Sequence, residues 1–389
     1  MTRLLLSAAA ALALAGAPAA AQTQGVSDSE VVIGSVNDLS GPFAAFGAPA
    51  VKAAQLYFDD INAKGGVHGR KIRFVVEDHG YQVPKAVQAV NKLVNRDKVF
   101  AMLLSLGTPH NIAAFKVLDR KGIPNISPLS AARQMVQEPM RNKFAGLASY
   151  YDGMRAGTRY LVQNEGVKRI CAMYLPTDFG REVVDGARDE AAAEGLEFVA
   201  ETTHKPDEVD FVGALGKLRE AECDMIAIAL GLRQVIAAVA TAKKIGWNDV
   251  KFLGSSAAFH TVIAKVPGGV TDGMYAAAAW QDIEARLSNP TVAAWVKSYT
   301  EATGEKLPGT GALLGRAAAE GFVRALEKAG PDLTTDSFIA AMESLDYQDE
   351  IQGTRIDYSP TDHVGGEEVF ISRIEGGSWK LLGSVKAGS

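Results

Sequence analysis

Buried-strand and amphipathic-helix signals alternate along this chain, and that alternation restricts the fold more than any other feature. Val31-Val32-Ile33-Gly34-Ser35-Val36 is a short apolar run of the kind a strand covered on both faces requires. Val51, Ala54, Phe58 and Ile61 follow at three- and four-residue spacings, which places them on one helix face, and Lys64-Gly65-Gly66 supplies the stop. The pattern continues as a predicted strand over 71–77, helix over 84–96, strand over 98–104, helix over 109–121 and short strand over 123–126. A chain that alternates in this way folds as a parallel sheet with helices on both faces.

A second set of the same kind follows a loop through Pro128 and Pro139. It opens with a predicted helix over 150–165, and its strands are placed at 169–174, 196–201, 224–230 and 251–254, with helices over 180–194, 208–221 and 233–246 between them. The two halves duplicate an architecture without a detectable sequence repeat. At 389 residues the chain exceeds the ~250–300 at which one core stops growing, so two lobes are expected. The remainder reads as a strand near 273–279, helices near 289–303, 311–329 and 335–344, and short strands near 353–357, 367–374 and 379–384. Such a mixed tail is expected to add back onto both lobes.

Arg3, the apolar run Leu4 to Ala15, the Gly16/Pro18 break and Ala19-Ala20-Ala21 read as a secretory signal cleaved after Ala21. The apolar run is shorter than the ~20 residues a spanning helix needs. No cysteine lies near the cut, so no lipid anchor is expected. Cys171 is placed mid-strand and Cys223 just before the neighbouring strand. In register, the offset is about 13 Å at ~3.3 Å per residue, against the ~7 Å that a bond tolerates, so two buried thiols are expected and not a disulfide.

A net charge of −5 gives no footprint for nucleic acid. Phosphate-loop, H-E-x-x-H, C-x-x-C and G-x-S-x-G patterns are absent, and the six histidines show no metal-ligand spacing. No metal, cofactor or enzymatic activity is therefore expected. Gly309-Thr310-Gly311-Ala312-Leu313-Leu314-Gly315 imitates a dinucleotide loop but lacks a preceding strand, and is read as a glycine-rich helix entry. Glu182, Asp185, Asp189 and Glu190 are read as the solvated face of a helix.

Four segments carry a resemblance: Leu39-Ser40-Gly41-Pro42 after the first strand, Asp60-Ile61-Asn62-Ala63-Lys64-Gly65-Gly66-Val67-His68-Gly69-Arg70 after the first helix, Ile126-Ser127-Pro128, and Asp178-Phe179-Gly180-Arg181-Glu182. By these the chain resembles the type I periplasmic solute-binding proteins, in particular the leucine/isoleucine/valine-binding group, over essentially its whole mature length. The resemblance implies an α/β fold of two Rossmann-like lobes joined by three crossover segments, with a ligand cleft between them. The crossovers are expected near 147–150, 277–281 and 355–361. One lobe then takes 28–147 plus 281–355, and the other 150–277 plus 361–389. It further implies a monomer in the periplasm that binds a small molecule and hands it to the permease of an ABC importer. A periplasmic sensor feeding a membrane receptor or kinase reads out the same motion.

Ligands of open α/β sheets sit beyond the carboxyl ends of the strands, where helix N-termini present free N–H groups. Thr108, in Gly107-Thr108-Pro109, occupies such a turn and serves equally as a helix cap or a ligand contact. In relatives this position helps to bind a carboxylate. The resemblance adds Ser130 and Ala131 after the Ser-Pro pair, Phe46 beyond Pro42, and Phe179 closing from the second lobe. Tyr150 and Tyr151 face the cleft or pack at the hinge. His260 and Trp280 belong to the same wall or to the core.

Three departures from the family set the expected ligand. Amino-acid receptors of this group hold the ligand ammonium with a glutamate, and its place here falls on Ser256. One expected aromatic is replaced by Gly231 or Leu232, and another falls on Gly311. A buried ammonium without an anion loses solvation worth several kcal/mol, roughly, which one serine oxygen does not restore. A carboxylate or amide with an apolar or aromatic body fits better, unless Asp38 or Asp152 supplies the missing charge and an amino acid binds after all.

Overall fold

A computed structural model describes residues 23–388, so the expected signal at 1–21 lies outside the described residues. The first unit runs β1 (Glu30–Asn37), α1 (Ala44–Ala63), β2 (Lys71–Asp78), α2 (Val83–Asn95), β3 (Ala101–Leu103), α3 (Thr108–Lys121), β4 (Asn125–Ile126) and β5 (Lys143–Phe144). Its strands form a parallel sheet in the order β2-β1-β3-β4-β5. β1 is buried along nearly its whole length, because helices cover both faces of a central parallel strand.

The second unit runs α4 (Tyr150–Glu165), β6 (Arg169–Tyr174), α5 (Asp178–Ala193), β7 (Glu197–Thr203), α6 (Val212–Glu220), β8 (Met225–Ala229), α7 (Leu232–Lys244), β9 (Lys251–Gly254), α8 (Thr261–Ala264) and β10 (Tyr275–Ala278). The tail supplies α9 (Pro290–Thr303), α10 (Thr310–Ala329), α11 (Thr335–Met342), β11 (Asp346–Asp349), β12 (Thr354–Asp357), β13 (Glu368–Glu375) and β14 (Ser378–Lys386). The last two strands join the second sheet, ordered β14-β13-β10-β9-β8-β6-β7, while β11 and β12 form an antiparallel hairpin. No helix among the described residues is long and apolar enough to cross a membrane.

The predicted elements recur with shifted ends. α1 starts well before Val51 and carries Pro49 through its first turns. β5 and β11 are additional, and both are too short to show a sequence period. One buried cluster extends from the first sheet through Phe43, Phe46 and Tyr150 into the second sheet. Another, with Phe58, Phe322 and Phe338, fills the opposite face of the first sheet under α1, α10 and α11.

The glycine-rich run at 309–315 is a helix-packing device. Gly309 caps α10. A Cβ at Gly311 would lie 2.3 Å from the Phe46 carbonyl oxygen, and one at Gly315 would lie 2.0 Å from that of Ala50. The two glycines let α10 sit directly on the backbone of α1, which also explains why no aromatic occupies position 311.

Two expectations are corrected here. Cys171 and Cys223 are disulfide-bonded, with a Cα separation of 5.9 Å. The chain does not run straight back from Asp224: Glu222 takes a left-handed φ of 57° and the Cys223 amide turns to the Leu218 carbonyl at 3.1 Å. That turn folds Cys223 back toward β6. The solvated acidic face of α5 is likewise divided. Glu182 and Glu190 are 3% and 1% exposed, paired with Arg133 and with Arg155 and Arg159 respectively.

Candidate functional site

Both sheets place their strand order reversal where loops open at the carboxyl ends, after β1 and β3 in one and after β6 and β8 in the other. A cavity lies between these loops, with about 850 Å³ of atom-free space, part of it open to solvent. The first unit contributes Phe43, Phe46, Tyr81, Leu104, Leu106, Thr108 and the run 127–131. Phe179, Ser256, Ala257 and Trp280 come from the second unit and its exit, Tyr150 opens α4, and Gln352 comes from the β11–β12 turn.

Backbone strain concentrates here. Of the six non-glycine residues with positive φ among the described residues, Tyr81 (58°), Leu104 (60°) and Ser127 (43°) line the cavity. Each such conformation costs on the order of 1–3 kcal/mol and persists where the surroundings enforce it, commonly at ligand sites. Gly107 has φ 99°, and a Cβ there would lie 2.3 Å from His110 Nδ1. Glycine alone therefore permits the turn that aims the start of α3 at the cavity.

The polar groups gather at that helix start. The Thr108 and Ser130 hydroxyls are 2.8 Å apart, and both residues are buried. Burial pushes the Tyr150 phenol up to about 12, against hydrogen bonding from the Ala131 backbone and the Ser130 side chain. Three hydroxyls and the N-terminus of α3 thus form one hydrogen-bonding pole. An anion placed there meets main-chain N–H groups and the positive end of the helix dipole.

The rest of the wall is apolar. Phe179 packs edge-on against Phe43 at 6.1 Å and Tyr150 at 5.2 Å, and Phe43 lies 4.5 Å from the Tyr81 ring. Among the described residues, no Asp, Glu, Lys or Arg lines the cavity. Asp38 is fully buried and accepts the Gly41 and Phe43 amides at 2.6 and 2.8 Å, which holds the loop after β1. Asp152 accepts the Ser149 hydroxyl at 2.6 Å in the first turn of α4. Neither carboxylate lines the cavity, whereas Ser256 does.

Phe46, Thr108, Ser130, Ala131, Tyr150, Phe179 and Ser256 are brought together, and three other candidates are not. Tyr151 points away: its hydroxyl donates to Asp189 at 2.7 Å and the Arg133 guanidinium lies 3.6 Å from its ring centre. Leu232 begins α7 and is buried in the core. His260 stands behind the wall, its ring 4.5 Å from Phe46 and edge-on. Its Nδ1 accepts the Val262 amide at 3.0 Å, so the proton sits on Nε2, 3.3 Å from the Ala45 carbonyl. Burial lowers its pKa to about 4, which keeps the ring neutral near pH 7.

Sequence reading missed Phe43, Tyr81, Leu104, Ser127 and Gln352. Phe43 was within reach, since it follows Pro42 in the loop after β1. Tyr81 and Gln352 carry no local signal. The two units are also bridged directly, by the Arg133 amide and guanidinium donating to Glu182 at 3.1 and 2.9 Å. Among the described residues no group of three or more His, Cys, Asp or Glu is placed to hold a metal.

A profile of the periplasmic binding protein family matches residues 30–378. An "Amino acid binding protein" of Pseudomonas aeruginosa is 28% identical over 51% of this chain and 53% of its own length, so the chain spans about half of that relative. "Leu/Ile/Val-binding protein homolog 8" of Brucella suis is 23% identical over 90% of this chain and 87% of its own. Among solved structures, a fatty acid ABC transporter substrate-binding protein from Thermomonospora curvata superposes with a TM-score of 0.85 at 25% identity, covering 95% of both chains. Two sheets, one parallel and one made mixed by its last two strands, open their loop-bearing edges onto one cavity, and with the match over residues 30–378 the chain belongs to the periplasmic binding protein family.

Proposed function

We propose that this chain is the substrate-binding component of an ABC importer, and that it holds a small carboxylic acid or amide with an apolar or aromatic body. The observation that carries this reading is the cavity itself: hydroxyls and main-chain amides at one pole, aromatic and aliphatic walls elsewhere, and no charged side chain among the described residues that line it. An α-amino acid would bury its ammonium there without an anion, at a cost of several kcal/mol, roughly. The fatty acid named for the Thermomonospora protein supports an apolar acid. The names of the Pseudomonas and Brucella relatives favour an amino acid, which is the second reading.

In this reading one lobe is 28–147 plus the chain from 281 to a third passage, and the other is 150–277 plus the chain beyond that passage, with the first two hinges at 147–150 and 277–281. The Ala145–Val364 bridge and the Gly366 amide on the Gly146 carbonyl, 3.1 Å away, favour a third passage near 364–366, later than the 355–361 of the sequence argument. Ligand stabilises the closed form by its greater affinity for it. The monomer, secreted to the periplasm with loss of residues 1–21, then docks on its permease, without cofactor or catalysis.

Small-angle scattering tests this reading. A saturating acid is expected to reduce the radius of gyration of the mature chain and be recovered unchanged by mass spectrometry. Binding without compaction, or conversion of the acid to product, contradicts it.

A further inference from the structure

We infer that the amide oxygen of Gln352 is a second recognition point in the cavity, and that the preferred ligand carries an O–H or N–H donor on its apolar body in addition to its acid group. This inference rests on the carboxylate reading above and narrows the ligand class. Gln352 lines the cavity and is 6% exposed. Its amide nitrogen donates to Asp349 Oδ2 at 2.8 Å, which fixes the orientation of the amide group. Asp349 cannot turn away, because its Oδ1 accepts the Ile351 and Gln352 main-chain amides at 2.8 and 2.9 Å. With the nitrogen committed, Oε1 is left buried without a hydrogen-bond partner.

The backbone is held as firmly as the side chain. The Gln281 amide donates to the Gln352 carbonyl at 2.9 Å, Gln281 Nε2 to the Gly353 carbonyl at 2.9 Å, and Arg286 Nη1 to the Ile351 carbonyl at 2.8 Å. These contacts tie the β11–β12 turn to the segment after β10. Buried carbonyls are nearly always paired in native proteins, so an oxygen held immobile and unpaired, on a side chain that lines the cavity, is matched to a donor on the ligand. A site built to bond such a donor discriminates against the analogue that lacks it. Gln352 belongs to a different element from Thr108, Ser130 and Tyr150, so the cavity recognises two groups on one molecule.

The test is calorimetric titration of the mature chain with acids that differ by one hydroxyl: phenylacetate against 3- and 4-hydroxyphenylacetate, and hexanoate against 5- and 6-hydroxyhexanoate. At least one hydroxylated member is expected to bind roughly tenfold tighter than its parent, the scale of one well-placed hydrogen bond. Gln352→Leu is expected to bring that ratio to about one, whereas Thr108→Ala weakens both members of the pair together. Parents that bind, with no gain from any hydroxyl or a gain that survives Gln352→Leu, overturn the Gln352 inference and leave the carboxylate reading standing. Failure of every acid to bind overturns both. Should the leucine variant not fold, Gln352→Met replaces it, and the wild-type comparison alone still decides the sign.

Discussion

The Thr108 hydroxyl lies 2.8 Å from the Ser130 hydroxyl, with both side chains buried at the N-terminus of α3. Ser130 also bonds the Tyr150 phenol, so two protons satisfy the contacts within this group of three hydroxyls and one is left for a ligand oxygen. Thr108→Ala is therefore expected to weaken any bound carboxylate by about 1–3 kcal/mol, the usual loss for a hydrogen bond to a charged group. Calorimetric titration measures it, and an unchanged affinity removes Thr108 from the site.

Ser256 lines the cavity, and the resemblance implies that it stands where amino-acid receptors carry a glutamate. Ser256→Glu places a carboxylate in a wall that has none. The variant is expected to lose at least tenfold in affinity for acids through like-charge repulsion, and to gain affinity for leucine or valine, about 1.4 kcal/mol per tenfold. A variant that still prefers acids shows that Ser256 is not where an ammonium would sit.

The Cys171–Cys223 bond closes a separation of 52 residues. In the chain-entropy account a loop of this length contributes about 4 kcal/mol by restricting the unfolded state. The double variant Cys171→Ala/Cys223→Ala, or wild type in reductant, is expected to unfold at a clearly lower urea concentration. Coincident curves for oxidised and reduced protein contradict the expectation.

Stability is expected to fall on mild acidification. Burial lowers His110, stacked on His79, and His260 to about 4. Unfolded histidine titrates near ~6.5, so between those values the unfolded chain binds more protons at both sites and stability declines as pH falls through that window. Asp282 works against this: burial raises it to about 6, so the folded state binds the extra proton between ~3.9 and that value. Two histidines outweigh one carboxylate, and the net loss from pH 7 to 5 is on the order of 2 kcal/mol. Urea denaturation at the two pH values checks the sign, and a midpoint that rises at pH 5 refutes it.

The α/β alternation was legible because strand and helix periods are local properties, and β1 and β8 announce themselves as apolar runs. Thr108, Ser130 and Phe46 were legible for a related reason: each follows a strand end, where parallel sheets open. What escaped the sequence depends on residues far apart in the chain. The burial of Glu182 needs Arg133 and that of Glu190 needs Arg155 and Arg159, all from other segments. The disulfide needs one left-handed residue, Glu222, and the place of Gln352 in the wall needs a hairpin more than 200 residues beyond Ser130.

Leucine and 4-methylpentanoate differ only in the α-amino group, so the pair isolates the ammonium. Thermal denaturation of the mature chain with each compound puts the uncharged lining to its most direct trial, since a ligand at 100 times its dissociation constant adds about 2.7 kcal/mol. The melting temperature is expected to rise with 4-methylpentanoate and stay in place with leucine. A rise with leucine and none with the acid would contradict a cavity built for carboxylates without a cation.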